Sequence, residues 1–265
     1  MGVKVKKYLY IIYNQCALQL IYKFDFFVGL LSKAVQLFMT IFIWRAIYIS
    51  NGYEVIKGYT FETMIMYIIM NNFSSILFSF EYCFRLGQMI RSGKLTTILL
   101  RPISILGEGF SYYLGNKLIY IIIYIIVFIT MCLQLKGSQI NYLIACLLLV
   151  IINVRMFFML LSFISTLGFR FIQMWPLRPI LTAFYLLLGG VYFPLDLLSE
   201  KWYSIISLNP FSLVGHITTK AMQGFYNTKE ILVYCLVSIL WAEIFRFFYG
   251  RAMERGLKLY EGMGS

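Results

Sequence analysis

Long apolar runs separated by short polar segments dominate this chain. Six of them approach or exceed the roughly 20 residues that carry a helix across a bilayer: 26–49, 61–80, 112–133, 142–167, 175–192 and 231–249. The fifth is the shortest in effect, because Arg178 lies near its start and its continuous apolar run begins only after Pro179. Its prolines sit in the first turn, where a missing N–H is tolerated, and Arg178 can snorkel to an interface.

Three segments outside these runs carry pattern of their own. Val5, Tyr8, Leu9, Ile12, Cys16 and Leu20 recur at helical spacing opposite Lys4, Lys7, Asn14 and Gln15, which predicts an amphipathic helix on the membrane surface within residues 1–25. Between the second and third runs, residues 85–101 place Leu86, Met89 and Ile90 on one face, break at Gly93, and resume with Leu95, Ile98 and Leu99 before Pro102. Arg85, Arg91, Lys94 and Arg101 decorate that segment, which reads equally as a docking element or as a solvated helix that anchors orientation. The connection 193–229 divides into 194–208 and 211–222 around Asn209-Pro210, each piece too short to span. Such lengths predict a re-entrant hairpin or an interfacial loop. Gly189-Gly190 before it permits a helix break or a close helix contact.

Composition makes the membrane reading firm. Of 265 residues, 61% are hydrophobic and 13% charged, against about 45–50% and 25% in soluble domains. The net charge of +12 is spread between apolar runs rather than gathered in one stripe, which argues against nucleic acid. With both termini cytoplasmic, fourteen Lys and Arg fall inside: Lys4, Lys6, Lys7, Lys23, Arg85, Arg91, Lys94, Arg101, Arg170, Arg178, Arg246, Arg251, Arg255 and Lys258. Five fall outside, at Lys57, Lys136, Lys201, Lys220 and Lys229. This bias follows the positive-inside rule and supports an even number of spans; on it, the charge belongs to orientation and not to cargo selection. The five cysteines (16, 83, 132, 146, 235) are scattered and form no CxxC, so they read as apolar fillers. No cleavable signal is expected after the basic start.

Candidate chemistry is sparse. His216 has no Asp, Ser or Cys at a recognised spacing and reads as an interfacial polar residue. Gly93-Lys94 suggests a phosphate loop, but Gly87 is one residue too distant and Leu95 stands where Ser or Thr must bind magnesium, so no ATP site is expected. Charges inside spans are costly and functional by default. Arg155 in the fourth run and Glu243 in the sixth lie at comparable depth, and Asn71-Asn72 lie mid-run in the second. Two readings of Arg155 stand: it faces a polar interior, or it forms a buried pair with Glu243 that fixes two helices. Lys33 and Arg45 lie nearer run ends and are expected to snorkel.

The stretch from Ile90-Arg91-Ser92-Gly93-Lys94-Leu95 through Leu99-Leu100-Arg101-Pro102-Ile103 resembles the signature of ABC-2 type permeases, closest to their six-span subfamily. Gly190-Val191-Tyr192-Phe193-Pro194-Leu195-Asp196-Leu197-Leu198, followed by Leu208-Asn209-Pro210-Phe211, is similar to that family's outer element, with Ser199 where a second proline is common. The resemblance covers the whole chain in span order and loop length. It implies an all-α membrane domain over residues 26–265, preceded by the interfacial helix, that forms half of an exporter in the bacterial cell membrane. A second copy or a sister permease would complete the pathway, and a separate ABC ATPase would supply ATP and magnesium. Residues 85–101 would then be the coupling helix, with Leu86, Met89, Ile90, Arg91, Gly93, Leu95, Leu99, Arg101 and Pro102 as its contacts. Gly189, Gly190, Pro194, Asp196, Asn209 and Pro210 would form an outer gate. An amphipathic cargo (drug, lipid or peptide) suits the aromatic spans. A secondary carrier or a lipid-modifying enzyme is the alternative, though neither internal repeats nor clustered acid/base residues are visible.

Overall fold

The computed structural model describes residues 2–21, 23–52, 54–134, 140–171 and 173–260. Lys136 and the side chains of Lys4, Val5, Lys23 and Cys132 lie outside that description. Among the described residues, five helices are long and apolar enough to cross a membrane. They are α2 (Lys23–Asn51), α3 (Phe61–Leu77), which turns through 81–84 into α4 (Arg85–Arg91), α6 (Ile105–Gln134), α7 (Ile140–Ser165) and α12 (Thr228–Leu259). Helix α1 (Gly2–Ile21) precedes them, and α5 (Lys94–Leu99) follows α4.

The fifth predicted run forms only a 12-residue helix, α8 (Leu177–Leu188). At 1.5 Å per residue it is about 18 Å long, against a hydrocarbon core of about 30 Å. It stops because Gly189-Gly190 breaks it: Gly190 has φ +71°, a left-handed conformation that only glycine takes at no steric cost.

The long helices alternate between two ends. One carries a hairpin, β1 (Val55–Ile56) paired with β2 (Tyr59–Thr60). Lys57 and Gly58 connect the strands, both with positive φ, as a two-residue turn of the right twist requires. The other end carries α4 and α5. Helix α7 lies at the centre, with Phe157, Phe158 and Leu161 fully buried, and it packs along α12. Phe78, Phe80, Tyr185 and Phe211 gather around Phe157 and one another in edge-on and tilted pairs 5.3–6.3 Å apart, a geometry that aromatic quadrupoles favour.

Helix α1 packs on α6. Tyr8, Ile12, Gln15 and Cys16 are partly buried, while Leu9 and Leu20 are exposed. Gly115 permits the contact: its missing Cβ lets the Ile12–Gln15 turn approach the α6 backbone, and Gln19 Nε2 donates to the Asn116 carbonyl at 2.5 Å. Cys83, Cys146 and Cys235 are buried and Cys16 is partly buried, with no disulfide among the described residues.

Candidate functional site

Residues 189–226 close the hairpin end and build the most heavily cross-linked part of the molecule. Past Gly190 the chain passes Pro194 and a turn at Leu195–Leu197, then α9 (Glu200–Ile206). Asn209-Pro210 is not a simple turn. The Asn209 side-chain oxygen accepts from Phe211 N (2.7 Å) and Ser212 N (2.9 Å), while Pro210 occupies the first helical position, where no N–H is needed. The pair therefore starts a buried rod: α10 (Pro210–Ser212), a widened π turn (Leu213–Ile217) and α11 (Thr218–Met222).

The contacts of this rod give its depth. Trp241 Nε1 donates to the Leu208 carbonyl at 2.9 Å, and Asn153 Nδ2 to the Leu213 carbonyl at 2.9 Å. Each of those side chains is 13 residues, about 20 Å, inside its helix from the hairpin end. At the other end of the rod, the Ala221 carbonyl accepts from Tyr142, near the start of α7. The chain thus dips about 20 Å along the long helices and returns. The predicted piece 211–222 is this rod, whereas 194–208 carries the descending limb through α9, with Trp202 and Ile205 exposed.

The π turn frees the Leu213 carbonyl, and three side chains take up the consequence. Asn153 and Thr218 both donate to it, Asn153 also reaches Thr218 Oγ1 at 2.9 Å, and Ser238 of α12 donates to Asn153 Oδ1 at 2.7 Å. Beside this clamp, Gly215 lies against the broken end of α8: a Cβ there would stand 2.2 Å from the Gly189 carbonyl oxygen. Asn71 of α3 donates to the Gly189 and Gly190 carbonyls at 3.2 and 2.7 Å and to Tyr67 Oη. His216 is fully buried, its Nδ1 2.9 Å from Tyr67 Oη and accepting from Leu195 N, so it is a structural hub rather than an interfacial residue. Asn72 donates to its own helix at Ile68 O and is buried.

Asp196 receives three hydrogen bonds at the rim: Tyr59 Oη donates to both carboxylate oxygens (3.1 and 2.9 Å), and Lys220 Nζ to Oδ2 at 2.8 Å. Lys220, expected outside in solvent, is 6% exposed, with its ammonium 3.5 Å from the centre of the Phe225 ring. Burial, then the Asp196 charge, pushes the Tyr59 hydroxyl far above its ordinary value, so it stays a donor. Lys57 Nζ donates to the Leu197 and Leu198 carbonyls, and Trp44 Nε1 to that of Tyr192, so hairpin and α2 both hold the element.

At the opposite end, α4 and α5 form a bent unit hinged at Gly93, whose φ is +70°. Leu86, Met89, Leu95 and Ile98 are buried against Met253, Phe169, Tyr249 and Leu257, so Leu86, Met89 and Leu95 serve the chain's own packing and are not free for docking. Ile90 is partly buried. What stands outward is Arg91, Lys94, Leu99, Leu100 and Arg101, followed by Pro102, with Leu100 82% exposed. The bidentate Arg85–Glu108 pair (2.6 and 2.8 Å) bolts this unit to α6. Leu95→Asp is accordingly expected to abolish recovery of folded protein, because a buried carboxylate without a partner costs several kcal/mol or more; detergent extraction with size-exclusion analysis reads this out.

Arg155 and Glu243 do meet, and Arg246 joins them at 3.4 Å from Glu243. The pair is not buried, however. Its side chains are 41% and 47% exposed on one face of α7 and α12, flanked by exposed Ile151, Leu240 and Phe247, so it does not lock the core of the single chain. Arg155→Gln is expected to lower folded yield, because it leaves Glu243 with only Arg246, 3.4 Å away, at a depth where a charge is costly; an unchanged yield would show that Arg246 suffices.

Lys33, Lys117 and Arg178 line a cavity of about 350 Å³ between α2, the end of α3, α6 and α8. Lys33, expected to snorkel, points into it. The pattern gave no sign of Lys117's burial.

A multi-span helical bundle with a broken helix, a buried return rod and a bent basic unit at its far end belongs to the class of membrane transport domains. The model for the ABC-2 family transporter protein matches residues 34–217, about two thirds of the chain; the chain belongs to this family. The match takes in both the bent unit and the return as far as the π turn, and leaves α1 and α12 outside it. No curated protein matches the chain.

Proposed function

We propose that this chain is the permease subunit of an ATP-driven exporter in the bacterial cytoplasmic membrane, with both termini cytoplasmic. Two copies, or one copy and a sister chain, enclose the pathway, and a separate ABC ATPase carrying ATP and magnesium docks on residues 85–101. Family membership carries this reading. Two features of the geometry support it. Leu99, Leu100, Arg91, Lys94 and Arg101 offer an apolar tip ringed by positive charge, bent away from the bundle on a buried base. Helices α2 and α8 leave long apolar faces uncovered, including Leu31, Val35 and Phe38 on one and Ile180, Phe184 and Leu187 on the other. A second permease would cover part of these faces and lipid the rest.

In this reading α8 and the eight residues after it make the sixth crossing, and the return 200–222 is a re-entrant hairpin closing the outer mouth. ATP-driven closure of the ATPases presses on α4–α5, and Gly93 and the Arg85–Glu108 bolt pass the movement to α6 and α12 as rigid bodies. The cargo is an amphipathic molecule. Co-expression with a candidate ABC ATPase subunit from the same genome, followed by co-purification and cargo-stimulated ATP hydrolysis, tests the proposal. Leu100→Asp with Arg101→Glu is expected to lose the ATPase while keeping folded yield; retention of both ATPase and stimulated hydrolysis would sink the docking assignment.

A further inference from the structure

The cavity between α2, α3, α6 and α8 is charged in one sense. Among the described residues lining it, Lys33, Lys117 and Arg178 face a single carboxylate, Glu81. That carboxylate is shared: Lys117 Nζ lies 3.4 Å from Oε2 and Arg178 4.0 Å from Oε1. Lys33 Nζ donates to Gln36 Oε1 at 3.2 Å, a neutral acceptor. Lys117 is 5% exposed and is held in place by Ser79 Oγ at 2.7 Å, so its charge is aimed rather than free to swing. The rest of the lining mixes apolar and aromatic groups, among them Leu30, Phe78, Tyr120 and Leu186, with the hydroxyls of Ser32, Ser75 and Thr182. The volume falls within the range of small-molecule sites.

Two positive charges in excess in a partly apolar cavity at membrane depth are costly unless an anion completes the count. The cavity also sits at the break after α3, 16 residues or about 24 Å from the hairpin end of that helix, and Arg178 lies in the first turn of α8. It therefore lies nearer the α4–α5 end than the hairpin end, within reach of a molecule from that side or from the adjacent leaflet.

We infer that this cavity binds the anionic head group, a carboxylate, sulfate or phosphate, of an amphipathic molecule whose apolar tail lies along the exposed face of α2 and α8. The inference rests on the permease reading only for the statement that the occupant is cargo; binding itself needs no ATPase. Lys117 and Lys33 contact the head group, Arg178 guards the mouth, and Glu81 keeps the empty site from carrying three uncompensated charges.

The full-length chain in nanodiscs of zwitterionic lipid gives a direct test. The probes are 11-(dansylamino)undecanoate and a dansyl probe of equal length ending in trimethylammonium, read by tryptophan-to-dansyl energy transfer against empty discs. The carboxylate probe is expected to bind, and the cationic probe to bind at least about tenfold more weakly, the factor equal to one 1.4 kcal/mol interaction. Lys117→Met should weaken the carboxylate probe by about the same factor. Because Lys117 is buried and its replacement risks misfolding, Lys33→Gln with Arg178→Gln, both nearer the mouth, provides a second variant with the same expected direction. Equal binding of the two probes, or carboxylate binding indifferent to the Lys33/Arg178 pair, would overturn the site. Adding phosphatidylglycerol to the discs separates the sources: competition assigns the site to a bilayer lipid, and undiminished charge-selective binding assigns it to a molecule from outside the bilayer. Charge-selective binding without any stimulated hydrolysis by the complex would count against the permease reading and leave the site standing.

Discussion

Lys220→Met is expected to destabilise the protein by about 3–5 kcal/mol, the cost of leaving a buried ion-pair partner alone. The mutation removes the ammonium that donates to Asp196 and Tyr59, and it leaves the carboxylate facing Tyr59 alone at the rim. Because Asp196 lies within the turn Leu195–Leu197, the damage should spread to the contact between Leu195 N and His216. Thermal unfolding in detergent, followed by tryptophan fluorescence, measures it. Asp196→Asn combined with Lys220→Met should recover most of the loss, since a neutral pair no longer buries an unpartnered charge. If the single variant unfolds at the wild-type temperature, the latch is not part of the stable core. In a transport assay the double variant separates stability from gating: a folded protein that leaks cargo would identify the latch as a gate.

The second large effect is expected at Gly215. An added methyl group would meet the Gly189 carbonyl oxygen at 2.2 Å, a distance no real contact tolerates. The obstacle is backbone, held by Asn71 and by the end of α8, so it cannot swing aside as a side chain would. Gly215→Ala should therefore cost about 3 kcal/mol, the upper end of ordinary overpacking, and should displace the rod rather than a rotamer. Gly250→Ala is the matched control. It is also a helical glycine, but nothing lies within 4 Å of its Cβ position, so helix propensity predicts a gain of up to about 1 kcal/mol. The comparison of the two thermal midpoints reads the rod contact directly; equal midpoints would mean that the rod and α8 do not touch.

These two sites also mark where pattern reading ends. The long helices are legible in the sequence because lipid demands apolar residues over a fixed length, and local composition reports that demand without reference to any neighbour. The break at Gly189-Gly190 and the start of the rod at Asn209-Pro210 are legible for a related reason: a left-handed glycine, a side-chain cap and an N-terminal proline act within a few residues of themselves. The basic decoration of the 85–101 segment could be read too, but its spacing did not mark Leu100 as the outward residue.

Tertiary structure alone decided the rest. Periodicity gives α4 and α5 an apolar face, but only the packed chain reveals that Met253, Tyr249 and Leu257 already cover Leu86, Met89 and Leu95, leaving the opposite edge for a partner. The sequence put Arg155 and Glu243 at like depth, and they pair, yet which side of the bundle they face depends on how α7 and α12 rotate against each other. Lys220 and Asp196, 24 residues apart, and Asn153 and Leu213, 60 apart, have no local mark at all. Their partners are fixed by where the returning chain docks. Length and solvent preference are properties of a segment, so the sequence determined that this protein is a bundle of membrane helices, while the fifth run it predicted at 175–192 proved to hold a helix of only 12 residues. Burial, charge pairing and the cationic cavity are properties of pairs of segments, and only the folded arrangement could assign them.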